Sequence, residues 1–150
     1  MSYQEKNTTV SLVTYLLILA FYLVSWFEMY QTGGLIPAKV FELWVEVIVA
    51  TIIVNIFAMI LTNILLSIVH AIRTRSDRPE RFIEDERDKL ISLKGTRISY
   101  IAFSIGVGLA MLSFVFGQPP LIMFSLIVFF SIVAEMIGSV AQLYFYRRGV

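Results

Sequence analysis

A single carboxylate inside an otherwise uncharged apolar run is the first residue of this chain that could do chemistry. Glu135 is the only formal charge between Arg97 and Arg147, and it lies within residues 121–145, a stretch long and apolar enough to cross a bilayer as a helix. An ionisable side chain at that depth costs about 2.5 to 3.5 kcal/mol even on a lenient insertion scale, so it is expected to face the interior of a bundle. Ser131, Gly138, Ser139 and Gln142 recur around it at helical spacing and give a polar stripe. Two roles fit such a group: a site that binds a proton or a cation, or a neutral acid hydrogen-bonded to the next helix. Desolvation favours the neutral acid, which donates one hydrogen bond. Counting inward from the span ends places Asn63 of the second span at comparable depth as its partner, with Tyr15 of the first span as the second candidate.

The other concentration of reactive groups runs from Arg73 to Arg97 and holds eight of the twelve Lys and Arg and six of the eleven acids. Glu84, Asp85, Glu86 and Asp88 are the hard oxygen donors that Mg²⁺ or Ca²⁺ favours. Consecutive helical residues point in different directions, however, and Arg87 and Lys89 compete as partners, so a solvated charged face is expected rather than a metal site. Arg73, Arg75, Arg78 and Arg81, just outside an apolar run, suit anionic lipid headgroups, and the charges from Glu84 to Lys89 suit a protein partner. Pro79 fits a first helical turn, and acids precede Lys94 and Arg97 as the helix dipole prefers. The pattern predicts a short amphipathic helix with Ile83, Leu90, Leu93 and Ile98 on its apolar side, either continuous with the third span or bent at Gly95.

Several chemistries are excluded by what the chain lacks. There is no cysteine and one histidine, His70, so no disulfide, thiolate site or thiol relay can form. No serine, histidine and aspartate set and no Gly-rich phosphate loop occurs, which leaves a membrane enzyme as the least supported class. Nothing in the pattern calls for a cofactor, a metal or a nucleic acid.

The elements that must position these residues are transmembrane helices. Of 150 residues 58% are hydrophobic, with a mean hydropathy of +0.81, well above the roughly half-apolar content of soluble domains. Residues 10–27, 44–68, 98–116 and 121–145 each reach the length of about 20 residues needed to span the hydrocarbon. They are continuously apolar, unlike barrel strands. Bulky SWFEMY follows the first run where a cleavage site would need small residues, so it reads as a retained span.

Gly33, Gly34 and Pro37 break the chain after the first span, with residues 41–46 expected as an interfacial turn. Only Gly117, Gln118, Pro119 and Pro120 separate the last two spans, which predicts an antiparallel hairpin. The expected fold is an all-α polytopic membrane protein: four helices as two antiparallel hairpins in a single membrane domain, 1–150, joined by a cytoplasmic connector, 73–97. Ala102, Gly106 and Ala110 form a small-residue seam for close helix approach.

With the N-terminus inside, eleven Lys and Arg fall on the inner side and Lys39 alone on the outer, so both termini and the connector are expected in the cytoplasm. The segment EDERDKLISLKGTRISY, Glu84 to Tyr100, resembles the DER-centred signature of small prokaryotic membrane proteins with four predicted spans. That resemblance implies a multi-pass protein of a prokaryotic plasma membrane and carries no activity with it. The residues themselves suggest two functions. One is a membrane scaffold or regulatory subunit whose connector engages anionic lipid or a protein partner. The other is a small transporter or channel, associating as a homo-oligomer and coupled to protons or cations through Glu135.

Overall fold

The computed structural model describes residues 3–74 and 86–148, and in the second half of the second helix the backbone and only some of the side chains. Arg75, Arg78, Arg81, Glu84 and Asp85 lie outside the described residues, as do the side chains of Asn63, His70 and Arg73. All regular structure among the described residues is helical: α1 (Tyr3–Gln31), α2 (Pro37–Thr74), α3 (Glu86–Val115) and α4 (Pro120–Arg148). Each of the four contains a segment long and apolar enough to cross a membrane, which makes this a multi-pass membrane protein.

One device closes both described turns. Gly33, with φ of 65°, ends α1, where the Gly34 amide bonds Met29 O at 2.9 Å and the Gly33 amide bonds Tyr30 O at 3.4 Å. Gly117, with φ of 84°, ends α3 in the same way, its own amide bonding Phe114 O at 3.0 Å and that of Gln118 bonding Ser113 O at 3.1 Å. This pair of bonds satisfies carbonyls that the helix end would otherwise leave open, and it needs a left-handed residue that glycine supplies without strain. Pro37 and Pro120 then open α2 and α4, where a missing amide costs nothing and the fixed φ suits a helix.

The helices form a row in the order α2, α1, α4, α3. Among the described residues α4 packs most extensively on α3 and next on α1, α1 also packs on α2, and α2 and α3 scarcely meet. Small residues set the α3 and α4 contact: Gly95 lies against Gln142, Gly138 against Ser99, and Gly106 against Phe130. One number rises as the other falls, so the two helices run antiparallel. The seam at Gly106 and Ala110, both buried, is therefore used within the chain, and it extends back through Ser99 and Gly95. The apolar core lies where α1, α2 and α4 meet, each giving residues four apart: Ile18 and Tyr22, Leu43 and Val47, Val128 and Ile132. The Tyr22 hydroxyl crosses this core to donate to Ser125 O at 2.6 Å.

Several expectations meet their outcome in the structure. Residues 41–46 are not a turn, because α2 already begins at Pro37; Lys39, Glu42 and Glu46 interrupt the apolar run without interrupting the helix. Of the two arrangements expected for the polar segment before the third span, the continuous one is found where it is described, residues 86–97 being the first turns of α3. Gly95 is not a bend but a packing position. The side that packs also differs from the expected one, since Ile91 is 1% exposed while Leu90 and Leu93 are 57% and 69% exposed.

Candidate functional site

Glu135 sits midway along α4, fifteen residues or about 22 Å from Pro120 at the helical rise of ~1.5 Å per residue. It does not face a closed interior. Its side chain is exposed in the single chain and opens into a groove of about 520 Å³ to which all four helices contribute. Among the described residues α2 and α3 flank this groove without packing on each other, which leaves its long side open laterally. By the register of the α3 and α4 contact, Glu135 is level with residue 102, about 8 Å along the axis from Arg97.

The groove is amphipathic. Tyr15 of α1, Thr51 of α2, Thr96, Ser99 and Tyr100 of α3, and Ser131 of α4 line it together with Glu135. Trp44, Ile48, Phe103 and Ile132 supply apolar wall. Tyr15 of α1 stands near the Asn55 side chain of α2 and shares the groove with Glu135 of α4. Asn55 is itself fixed by a 2.9 Å bond from Nδ2 to Thr51 O, and Thr51 Oγ1 donates to Val47 O at 2.7 Å. These internal bonds anchor the polar groups of α2 against their own helix and leave the groove surface preformed.

The polar groups of α4 divide. Ser131 stands in the groove one turn from Glu135, its hydroxyl donating to Val128 O at 2.7 Å. Ser139 Oγ donates to Glu135 O at 2.9 Å and is buried. Gln142 does not line the groove; it lies against Gly95 and accepts from Thr8 Oγ1 at 3.3 Å, joining α1, α3 and α4 nearer the chain termini. Among the described residues the Glu135 carboxyl makes no hydrogen bond. Its neighbour across the helices is Tyr15, the second of the two partners considered. Asn63 lies eight residues beyond Asn55, about 12 Å further along α2. The side chain of Asn63, the first partner expected for Glu135, lies outside the described residues.

Glu86, Arg87, Asp88 and Lys89 form the first turn of α3, where the Arg87 guanidinium donates to Tyr146 O at 3.4 Å. Lys94 Nζ lies 5.5 Å from the centre of the Phe145 ring and the Arg148 guanidinium 4.9 Å from that of Tyr144, so cations and aromatic rings alternate at this end of the bundle. Among the described residues no group of three or more His, Asp or Glu could hold a metal ion.

No family model matches this chain, and no curated protein or solved structure is significantly similar to it. The resemblance of residues 84–100 therefore rests on the sequence alone.

Missed by sequence reasoning were the groove residues of α3, Thr96, Ser99 and Tyr100. They sit at i, i+3 and i+4, the spacing of one helix face, but their proximity to the charged run disguised them as its tail.

Proposed function

We propose that this chain is a small membrane transporter in which Glu135 binds a proton and a cationic solute in turn. The observation that supports this most is the groove itself: residues of all four helices converge on one carboxylate at membrane depth. An unpaired carboxyl group in that position lowers stability, and intramembrane groups of this kind mark ion and proton paths. The chain would lie in a prokaryotic plasma membrane with both termini and the connector in the cytoplasm, as the eleven to one distribution of Lys and Arg supports. The test is a pH gradient across reconstituted proteoliposomes, with proton movement followed as guanidinium, alkylammonium ions or K⁺ are added outside. At least one solute should drive proton flux in the parent, and Glu135→Gln, which keeps the shape but cannot titrate, should abolish it. No flux with any solute, or equal flux in the variant, would overturn the proposal.

A second reading, a scaffold acting through the connector, is favoured by one observation. Leu90 and Leu93 are exposed among the charges of Glu86, Arg87, Lys89 and Lys94 at the end of α3. An apolar pair set in a charged rim suits a protein partner or an anionic lipid surface. Affinity purification of the parent beside a variant with Leu90 and Leu93 changed to serine and the Glu84 to Lys89 charges neutralised tests it. A protein or anionic lipid lost from the variant would support the scaffold; identical co-purifying molecules would remove it.

A further inference from the structure

The groove at Glu135 does not end where its polar residues end. Trp44 and Val128 also border a second cleft, of about 290 Å³, between the beginnings of α2 and α4. Its other walls are Pro37, Val40, Phe41, Leu121 and Phe124, and none of them carries a polar side chain. Trp44 and Val128 line both spaces, which lie in succession along α4. From Glu135 to Phe124 is eleven residues of one helix, about 16 Å along its axis. Taken in succession, the two spaces present a carboxylate and hydroxyls at one end and apolar surface at the other.

Resting on the transport reading, we infer that these two spaces take amphiphilic organic cations, with the charged head beside Glu135 and an apolar tail lying along α4 toward Phe124. The carboxylate sets the sign of the charge. An anion would be repelled by it, and a neutral apolar guest would leave the ionised carboxylate desolvated and unpaired. The rings of Tyr15, Tyr100 and Trp44 in the same groove offer faces that attract a diffuse cation.

Size argues against a bare metal ion. The groove of about 520 Å³ lies in the range of sites for drug-sized molecules. The charges near the cleft have the same preference: Glu28, Glu42 and Glu46 outnumber Lys39 around a recess at this end of α1 and α2. The lateral opening between α2 and α3 gives an amphiphile a direct path from the bilayer, with no aqueous vestibule required.

Tetraphenylphosphonium and tetraphenylborate have nearly the same size and shape and opposite charge, which makes them the decisive probes. Binding to the full chain in zwitterionic nanodiscs is measured against empty discs. Tetraphenylphosphonium should bind and tetraphenylborate should not. Glu135→Gln should weaken binding by at least about tenfold, while Glu135→Asp, which keeps the charge, should stay within about threefold of the parent. The tail is tested with methyl- and decyltriphenylphosphonium on the double variant Phe41→Ala and Phe124→Ala, whose changed side chains are exposed. Its preference for the decyl compound should fall severalfold while methyl binding is unchanged.

Equal binding of the two tetraphenyl ions, loss of binding in Glu135→Asp equal to that in Glu135→Gln, or equal loss of both alkyl compounds in the double variant would each overturn the inference. If tetraphenylphosphonium does not bind while small cations still drive Glu135-dependent proton flux, this ligand class falls and the transport reading stands. Glu135-dependent binding with no flux of any solute would keep the ligand class and remove transport.

Discussion

Replacing Gly138 by alanine should separate α3 from α4, and the expected loss can be worked from the contact. A Cβ built at Gly138 would overlap the Ser99 hydroxyl and stand 3.1 Å from both Ser99 Cβ and Gly95 O. The outright overlap is with the Ser99 side chain, whose hydroxyl must leave its position and whose Cβ is also crowded, whereas the Gly95 carbonyl has to give by only a few tenths of an ångström. Overpacking of this kind costs about 1 to 3 kcal/mol. Gly108, on the same bundle, has nothing within 4 Å of the corresponding position, so alanine there should cause no loss and a gain of at most about 1 kcal/mol from helix propensity.

The assay is equilibrium unfolding in mixed micelles of the parent, the two alanine variants, Ser99→Gly and the Ser99→Gly, Gly138→Ala pair. Ser99→Gly removes the overlapping atoms, so the double variant should recover more than half of the loss, read as a coupling energy across the cycle. A Gly138→Ala protein as stable as the parent, or purely additive effects in the cycle, would refute the assigned α3 and α4 register.

The same geometry sets three other outcomes. Tyr22→Phe deletes the 2.6 Å bond to Ser125 O, a carbonyl that still has its place in the α4 ladder, so the loss should be near the ~0.6 kcal/mol average for interhelical bonds in membranes and below about 1.7 kcal/mol in the same unfolding assay. Glu135→Leu should leave stability unchanged or raise it, because the carboxyl has no described hydrogen bond to lose, while abolishing Glu135-dependent flux; a loss of about 1 kcal/mol or more would instead make Glu135 structural glue. Topology reporters fused at Gly34 and Gln118 should read the outside, and those at Asp77 and after Val150 the inside, with an inward signal at Gly34 reversing the proposed orientation.

The number of helices was legible in the sequence because about 20 apolar residues have few alternatives to a membrane helix. The turns were legible for local reasons as well: Gly33 and Gly117 supply left-handed residues, and Pro37 and Pro120 suit only the opening turn of a helix. The start of α2 was misread because Lys39, Glu42 and Glu46 end the apolar run, whereas helical hydrogen bonding is indifferent to charge at a membrane boundary. The buried side of early α3 was misread for a related reason. Leu90 and Leu93 looked like the packing face, yet the contact with α4 is governed by close approach, which selects Gly95 and Ser99 over bulk.

For the candidate site, composition identified Glu135 and helical spacing brought in Ser131. Depth along the spans also offered Tyr15, but Asn55, Thr51 and Tyr100 needed the order of the helices, which no periodicity within one helix encodes. Sequence spacing also could not show that the carboxylate opens into a groove, since that depends on α2 and α3 failing to meet.

Proton exchange at Glu135 requires that water reach the groove lined by all four helices, and thiol accessibility tests this central requirement most directly, because the sequence contains no cysteine. Ser131→Cys places one thiol in the groove beside an intact Glu135, and Ile105→Cys places one on the exposed apolar side of α3. In nanodiscs a small charged thiosulfonate should label Ser131→Cys at least about tenfold faster than Ile105→Cys, because only an ionised thiol in contact with water reacts readily. Tetraphenylphosphonium should slow the first reaction and leave the second unchanged. Equal, slow labelling at both positions would mean that no hydrated groove reaches Glu135 and would contradict the account.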